Sequence, residues 1–106
     1  MSLLQSIQSS LQNNPAIMLY FSAPTCNVCH ALKPKLVDAL TSQFDAFEII
    51  SIDISEDAVV AAHFNVFAIP TVLVFLGGQE FLRKSRHMSV DEVIAQIRRP
   101  YDIMMS

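Results

Sequence analysis

Cys26 and Cys29 are the only cysteines in this chain of 106 residues, and two residues separate them. Thiols at this spacing can exchange disulfides: one sulfur attacks a substrate disulfide, and the other then attacks the mixed disulfide and closes the pair. A helix is predicted to begin at about Cys26, where unpaired N–H groups and the helix dipole favour a negatively charged sulfur. Cys29 would lie one turn further on, facing back toward Cys26. The pattern therefore indicates thiol–disulfide exchange.

The same Cys-x-x-Cys spacing is also half of a zinc site, which needs two more ligands. The only histidines are His30, His63 and His87. His30 follows Cys29 on the predicted helix and should point elsewhere, and the other two are distant in sequence. We therefore predict no metal site within one chain. A site shared between two chains, including an iron–sulfur cluster, remains an alternative.

The composition limits the classes of function. Hydrophobic residues make up 52% of the chain and charged residues 16%, which suits a single domain over residues 1–106 with a full core. The net charge is −3, and the absence of a Lys/Arg run argues against a nucleic-acid partner. The apolar stretch at 16–21 is too short to cross a membrane. Because the N-terminus lacks a basic region followed by an unbroken apolar run, we expect no secretory signal and a cytoplasmic location. In a reducing compartment such a cysteine pair is more often catalytic or metal-binding than structural.

The hydrophobic pattern predicts the order α-β-α-β-α-β-β-α. Helices between the early strands imply a right-handed parallel crossover, and the late hairpin adds antiparallel strands, so we expect a mixed four-stranded sheet with helices on both faces. The third helix should be capped by Ser55, the last should begin with a capping box from Ser89 to Glu92, and Pro100 should end it. The predicted elements are helices at 2–13, 26–43 (kinked at Pro34), 56–64 and from 90, and strands at 16–21, 47–54, 71–76 and 79–84.

Two stretches of the chain resemble signatures of the thioredoxin family. Residues 19–34, LYFSAPTCNVCHALKP, resemble the active-site segment, from the apolar strand through the cysteine pair to the helix proline. Residues 68–75, AIPTVLVF, resemble the segment whose proline is cis and lies beside the cysteines. Asp53 and Gly78 match further family positions. The resemblance implies an α/β thioredoxin-like fold that lacks the first strand of full-length thioredoxins.

The resemblance also implies roles for individual residues. Cys26 would be the exposed nucleophile and Cys29 the buried resolving thiol of a protein-disulfide oxidoreductase. Pro70 would be cis, and the Ile69 backbone would pair with an extended substrate. The implied partners are proteins carrying a disulfide or dithiol and a flavoprotein disulfide reductase, with no bound cofactor. The residues expected to contact substrate are Thr25, Asn27, Val28, Ala68, Ile69, Pro70 and Arg86.

Several positions depart from the family pattern. Thr25 replaces the usual Trp, and Asn27-Val28 replaces Gly-Pro between the cysteines. Tyr20 occupies the place of a buried acid that assists proton transfer, and Ile49 that of its partner lysine. These changes leave open the reduction potential and the direction of electron flow.

Two further departures alter charge beside the pair. His30 replaces a lysine after the second cysteine, where it could donate a proton or stabilise the Cys26 thiolate; with Tyr20 it is a candidate modulator. Arg86 replaces a glycine and is followed by His87, so the two could form a positive lip that selects acidic partners. The alternative to an enzyme is a thioredoxin-like binding or chaperone module in which the pair is not used.

Overall fold

The computed structural model describes residues 2–106. Within that range four helices and four strands alternate in the predicted order. No strand precedes the first helix there, and no helix among these residues is long and apolar enough to cross a bilayer. The elements are α1 Leu3–Asn13, β1 Ala16–Ser22, α2 Asn27–Gln43, β2 Phe47–Asp53, α3 Ala58–His63, β3 Thr71–Leu76, β4 Gln79–Ser85 and α4 Val90–Met105.

The four strands form one mixed sheet in the order β2-β1-β3-β4, which confirms the predicted architecture. β1 runs parallel to β2 and antiparallel to β3, and β3 pairs antiparallel with β4. β1 lies inside the sheet, and residues 16–21 are fully buried, as an apolar run without polar alternation predicts. Consequently the end of β1, the end of β2, the start of β3 and the end of β4 share one edge of the sheet. We call it the active edge.

Successive residues of β1 face opposite sides of the sheet and join two hydrophobic clusters. Met18 and Tyr20 pack with residues of α2 and α4 on one face. Leu19 and Phe21 pack on the other face with residues of α1 and α3. The helices therefore cover both faces, as predicted. On α2, Leu36 and Leu40 are fully buried, whereas Leu32 is half-buried.

The prediction that Pro100 ends the last helix is wrong, because α4 continues to Met105 with Pro100 inside it. Proline removes only its own N–H, and tertiary contacts beyond it hold the next turn. The ring of Tyr101 packs 4.6 Å from that of Phe44 and 5.7 Å from that of Phe47, centroid to centroid. The Tyr101 hydroxyl accepts a hydrogen bond from the Ala46 amide at 2.9 Å. Pro34 likewise lies inside α2, and the kink there stays a prediction.

Two predicted helix caps need correction. Ser55 does not cap α3, whose N-cap is Asp57; the Ser55 hydroxyl donates instead to the Asp53 carboxylate at 2.6 Å. At α4 the Ser89 hydroxyl accepts from the Glu92 amide at 3.3 Å, but the Glu92 carboxylate binds Lys84 and so leaves the capping box half-formed. Ser55 and Glu92 thus each bind a nearby side chain instead of the backbone amide that the predicted cap required.

Candidate active site

The cysteine pair lies at the active edge, where the chain turns from β1 into α2. The Cys26 amide donates to the Ala23 carbonyl at 3.1 Å, which closes the turn after the strand. Cys26 is the N-cap of α2, and the Cys29 amide donates to the Cys26 sulfur at 3.2 Å. The two cysteines form a disulfide, with Cα atoms 5.3 Å apart. The sulfur of Cys26 therefore sits where a helix N-terminus stabilises negative charge once the disulfide is reduced.

Exposure distinguishes the two sulfurs. Cys29 is buried, with 1% of its surface exposed, whereas Cys26 is half-buried. The neighbouring Thr25 and Asn27 are exposed, and Val28 presents 62% of its surface. Cys26 is therefore the more accessible of the two cysteines.

The segment before β3 lies on the same edge. The Ile69–Pro70 peptide bond is cis, as the resemblance implies. The Thr71 hydroxyl donates to the Ala68 carbonyl at 2.6 Å and holds the turn that leads into β3. Pro70 is buried, whereas Ala68 and Ile69 are half-buried. Because Thr71 pairs with Phe21 near the end of β1, the fold brings this segment next to the loop that carries the cysteines.

Arg86 belongs to the same site through its backbone. Its amide donates to the Pro70 carbonyl at 2.7 Å, directly after Ser85 has paired with Thr71. The structure thus places all nine predicted substrate-contact and cysteine positions on three adjoining segments of the active edge. These are 25–29, 68–70 and 86.

Comparison with known proteins agrees with this geometry. The Thioredoxin family model matches residues 4–99. The chain belongs to the thioredoxin family. It is 35% identical over 98 residues to the thioredoxin-like protein YdfQ of Bacillus subtilis strain 168, a match that covers 92% of this chain and 87% of that protein.

Solved thioredoxin-family structures superpose on the chain as well. Thioredoxin 1 of Thermosipho africanus TCF52B aligns with a TM-score of 0.71 at 30% identity, covering 85% of this chain and 99% of that one. Oxidised mitochondrial thioredoxin 3 of Saccharomyces cerevisiae aligns with a TM-score of 0.79 at 19% identity, covering 90% and 88%, and so shows the fold alone. The likeness extends over most of each chain.

Tyr20, at the position where the thioredoxin resemblance expects a buried acid, lies fully buried beneath the disulfide. Its hydroxyl donates to the carbonyl oxygen of Cys29 at 2.7 Å. Burial raises the pKa of the Tyr20 hydroxyl, so the group keeps its proton at neutral pH. Tyr20 therefore ties β1 to the first turn of α2 and brings no buried charge to the cysteines.

His30 is exposed and turns back along the active-site loop. Its Nε2 lies 2.9 Å from the Pro24 carbonyl oxygen. A carbonyl only accepts, so Nε2 carries the hydrogen and donates. His30 thus closes the loop from Pro24 to the start of α2. Among residues 2–106, no group of three or more His, Cys, Asp or Glu side chains is arranged to hold a metal ion.

Two residues near the site were not singled out in the sequence. Phe67, just before Ala68, has 84% of its surface exposed. Arg83 on β4 donates to the Phe64 carbonyl at 2.7 Å and to the Asn65 carbonyl at 3.2 Å, and so holds the turn that leads to Phe67. The sequence alone shows that Phe67 lies close to Ile69-Pro70 in the chain. Its exposure and the reach of Arg83 could not be predicted from the sequence, because both depend on tertiary contacts.

Proposed function

We propose that this protein catalyses thiol–disulfide exchange with protein substrates through Cys26 and Cys29. The observation that carries the proposal is the accessible Cys26 sulfur at the N-terminus of α2, bonded to a Cys29 sulfur that is buried behind it. Membership of the thioredoxin family supports the same class of reaction. The half-buried Ile69 in the cis-Pro70 segment would offer its backbone to an extended substrate.

The proposed reaction begins with both cysteines reduced. The Cys26 thiolate attacks a substrate disulfide, forms a mixed disulfide and releases one substrate thiolate. The Cys29 thiolate then attacks the Cys26 sulfur, closes the internal disulfide and releases the second substrate thiol. Two electrons pass to the substrate, which leaves as a dithiol. The same steps in reverse oxidise a dithiol substrate.

The cycle needs a source of two electrons to reduce the pair again. We propose a flavoprotein disulfide reductase in that role and a reducing compartment such as the cytoplasm. Thr25, Asn27, Val28 and Ala68 would contact the substrate near Cys26. The exposed Phe67, next to Ala68 in the chain, would add apolar surface. His30, held against Pro24, would keep the loop in place during the exchange.

Reduction of insulin driven by dithiothreitol tests the proposal. We expect the wild type to accelerate reduction and Cys26→Ser to abolish the acceleration. Cys29→Ser should instead trap a substrate on Cys26 as a mixed disulfide, which mass spectrometry of the non-reduced protein detects. Wild-type activity no greater than that of Cys26→Ser would refute the proposal.

A second candidate function is a binding or chaperone module. Tyr20 favours it, because a neutral hydroxyl replaces the acid expected beneath the pair. This function requires partner capture that survives replacement of both cysteines by serine. Capture that vanishes in the double variant, together with activity in the insulin assay, would exclude it.

A further inference from the structure

Arg86 has a backbone conformation that disfavours its side chain. Its φ is +64°, and within residues 2–106 only Asn65 shares a positive φ among residues other than glycine. Asparagine tolerates this left-handed region, whereas most other residues with a Cβ are strained there. A glycine would adopt the same conformation without that strain. An uncommon conformation at a site of this kind is a reason to ask what the side chain does.

A backbone hydrogen bond anchors Arg86 beside the proposed substrate groove. The amide donates to the Pro70 carbonyl at 2.7 Å, so the Cα of Arg86 is fixed beside the cis-proline segment. The residue is exposed. Its guanidinium makes no ion pair within residues 2–106, where the two ion pairs join Arg83 to Glu80 and Lys84 to Glu92. The residue that carries this unpaired cation is thus fixed next to the backbone that would pair with substrate.

The sheet order gives this cation a distinct position along the active edge. β2 and β4 are the outer strands, so the loops after them lie on opposite sides of the cysteines and Pro70. The loop after β2 carries Glu56 and Asp57, whereas the turn after β4 carries Arg86 and His87. The loop after β2 is therefore acidic. On the β4 side, Asp91 and Glu92 follow in the first turn of α4, where Glu92 pairs with Lys84, and Arg86 is the cation that no ion pair engages within residues 2–106.

We propose that Arg86 is a specificity-determining residue, which selects substrates carrying an acidic residue close to the reactive cysteine on the β4 side. This inference rests on the proposed exchange function and names a substrate class for it. The chain carries a net charge of −3, which opposes long-range attraction of an acidic substrate. The selection therefore comes from short-range contact with the guanidinium and weakens as salt screens it.

Two synthetic peptide disulfides that differ only by Glu or Gln beside the cysteine test the inference. The readout is the ratio of kcat/KM for the Glu peptide to that for the Gln peptide, measured with reduced protein. An exposed ion pair predicts a wild-type ratio of about 1.4 to 5. Arg86→Gly should bring the ratio close to one, since glycine keeps the backbone at positive φ while the charged side chain is removed. Arg86→Lys should retain an intermediate ratio.

Arg99→Ala serves as the matched control. It also removes one exposed positive charge, but from α4 and not from the turn that is bonded to Pro70. We expect it to leave the ratio at the wild-type value. A ratio that falls equally in both variants, or a wild-type ratio of one, would overturn the inference while leaving exchange intact. Failure of the wild type to reduce either peptide would instead refute the proposed function.

Discussion

The hydroxyl of Tyr20 donates a hydrogen bond to the carbonyl oxygen of Cys29 at 2.7 Å, across a fully buried interface between β1 and α2. The contact joins the centre of the sheet to the turn of helix that carries the buried sulfur. Burial raises the pKa of the Tyr20 hydroxyl, so the group keeps its proton at neutral pH and brings no charge beneath Cys29. In the proposed exchange, protons would therefore move through solvent or through groups on the exposed side of the pair.

Tyr20→Phe should destabilise the fold modestly. The substitution removes one buried hydrogen bond and keeps the ring, so we expect a loss of about 0.5–1.5 kcal/mol in the free energy of unfolding. The Cys29 carbonyl lies inside α2 and keeps its helical position. Urea denaturation measures the change, and an unchanged midpoint would mean that the hydroxyl contributes nothing to stability.

Tyr20→Asp should make stability depend on pH. An unfolded Asp has a pKa of about 3.9, and burial raises the pKa of the folded carboxyl above that value. The native state then holds more protons than the unfolded state above pH 3.9 or so, and stability falls as the pH rises toward 7. Tyr20→Asn is the control, because an Asn side chain has nearly the same shape as Asp but carries no charge. Parallel pH profiles of unfolding free energy for the two variants would contradict the prediction.

Arg83→Ala should loosen the turn before the cis-proline segment. The guanidinium binds two backbone carbonyls and the Glu80 carboxylate, so we expect a loss of about 1–2 kcal/mol by chemical denaturation. Hydrogen exchange at Asn65 and Val66 should quicken. Glu80→Gln breaks only the exposed ion pair and should cost less than about 0.5 kcal/mol. Equal losses in the two variants would show that the carbonyl contacts are unimportant.

The ion pair between Arg83 and Glu80 should also make stability depend on pH in a definite direction. Hydrogen bonding from the Arg83 side chain holds the pKa of the Glu80 carboxyl below its usual range. That lowered pKa adds stability above about pH 4.3, and the contribution is lost as the pH falls through the folded-state pKa. The acid slope of stability should therefore be slightly shallower in Arg83→Ala. A steeper slope in that variant would contradict the assignment.

Phe67→Ser should weaken substrate binding without harming the fold. The ring is 84% exposed, so its removal should leave the melting temperature nearly unchanged. Covering part of the ring with a substrate predicts a rise in KM of about five- to tenfold, with kcat little altered. Val59→Ser, at a side chain 74% exposed on α3, is the matched control and should leave KM unchanged. A similar KM in all three proteins would argue against a role for Phe67.

The hairpin between β3 and β4 offers a paired test of backbone geometry. Gly77 and Gly78 have φ of +62° and +81°, so alanine is strained at either position. A Cβ at Gly78 would also lie 3.0 Å from the Leu11 carbonyl oxygen, whereas one at Gly77 would meet open space. We expect Gly77→Ala to cost about 1–2 kcal/mol and Gly78→Ala more. Thermal unfolding compares them, and the reverse ranking would contradict the prediction.

Local chemistry in the sequence was enough for the element order, the mixed sheet and the location of the site. The apolar run 16–21, the Gly77-Gly78 turn and the cysteine spacing at a helix start each act over a few residues, where backbone and burial preferences are strong. The cis Ile69–Pro70 bond came from family resemblance. The element order and the mixed sheet could therefore be predicted without knowledge of contacts between distant parts of the chain.

Other features were decided by the tertiary structure, because they depend on contacts between groups far apart in the chain. Pro100 seemed a helix end until the packing of Tyr101 against Phe44 and its bond to Ala46 sustained the helix beyond it. The hydrogen bond from the Tyr20 hydroxyl to the Cys29 carbonyl exists only because α2 packs against β1. The exposure of Phe67 and the position of Arg86 against Pro70 likewise followed from assembly of the active edge. Sequence determined which residues could do the chemistry, and long-range packing determined what surrounds them.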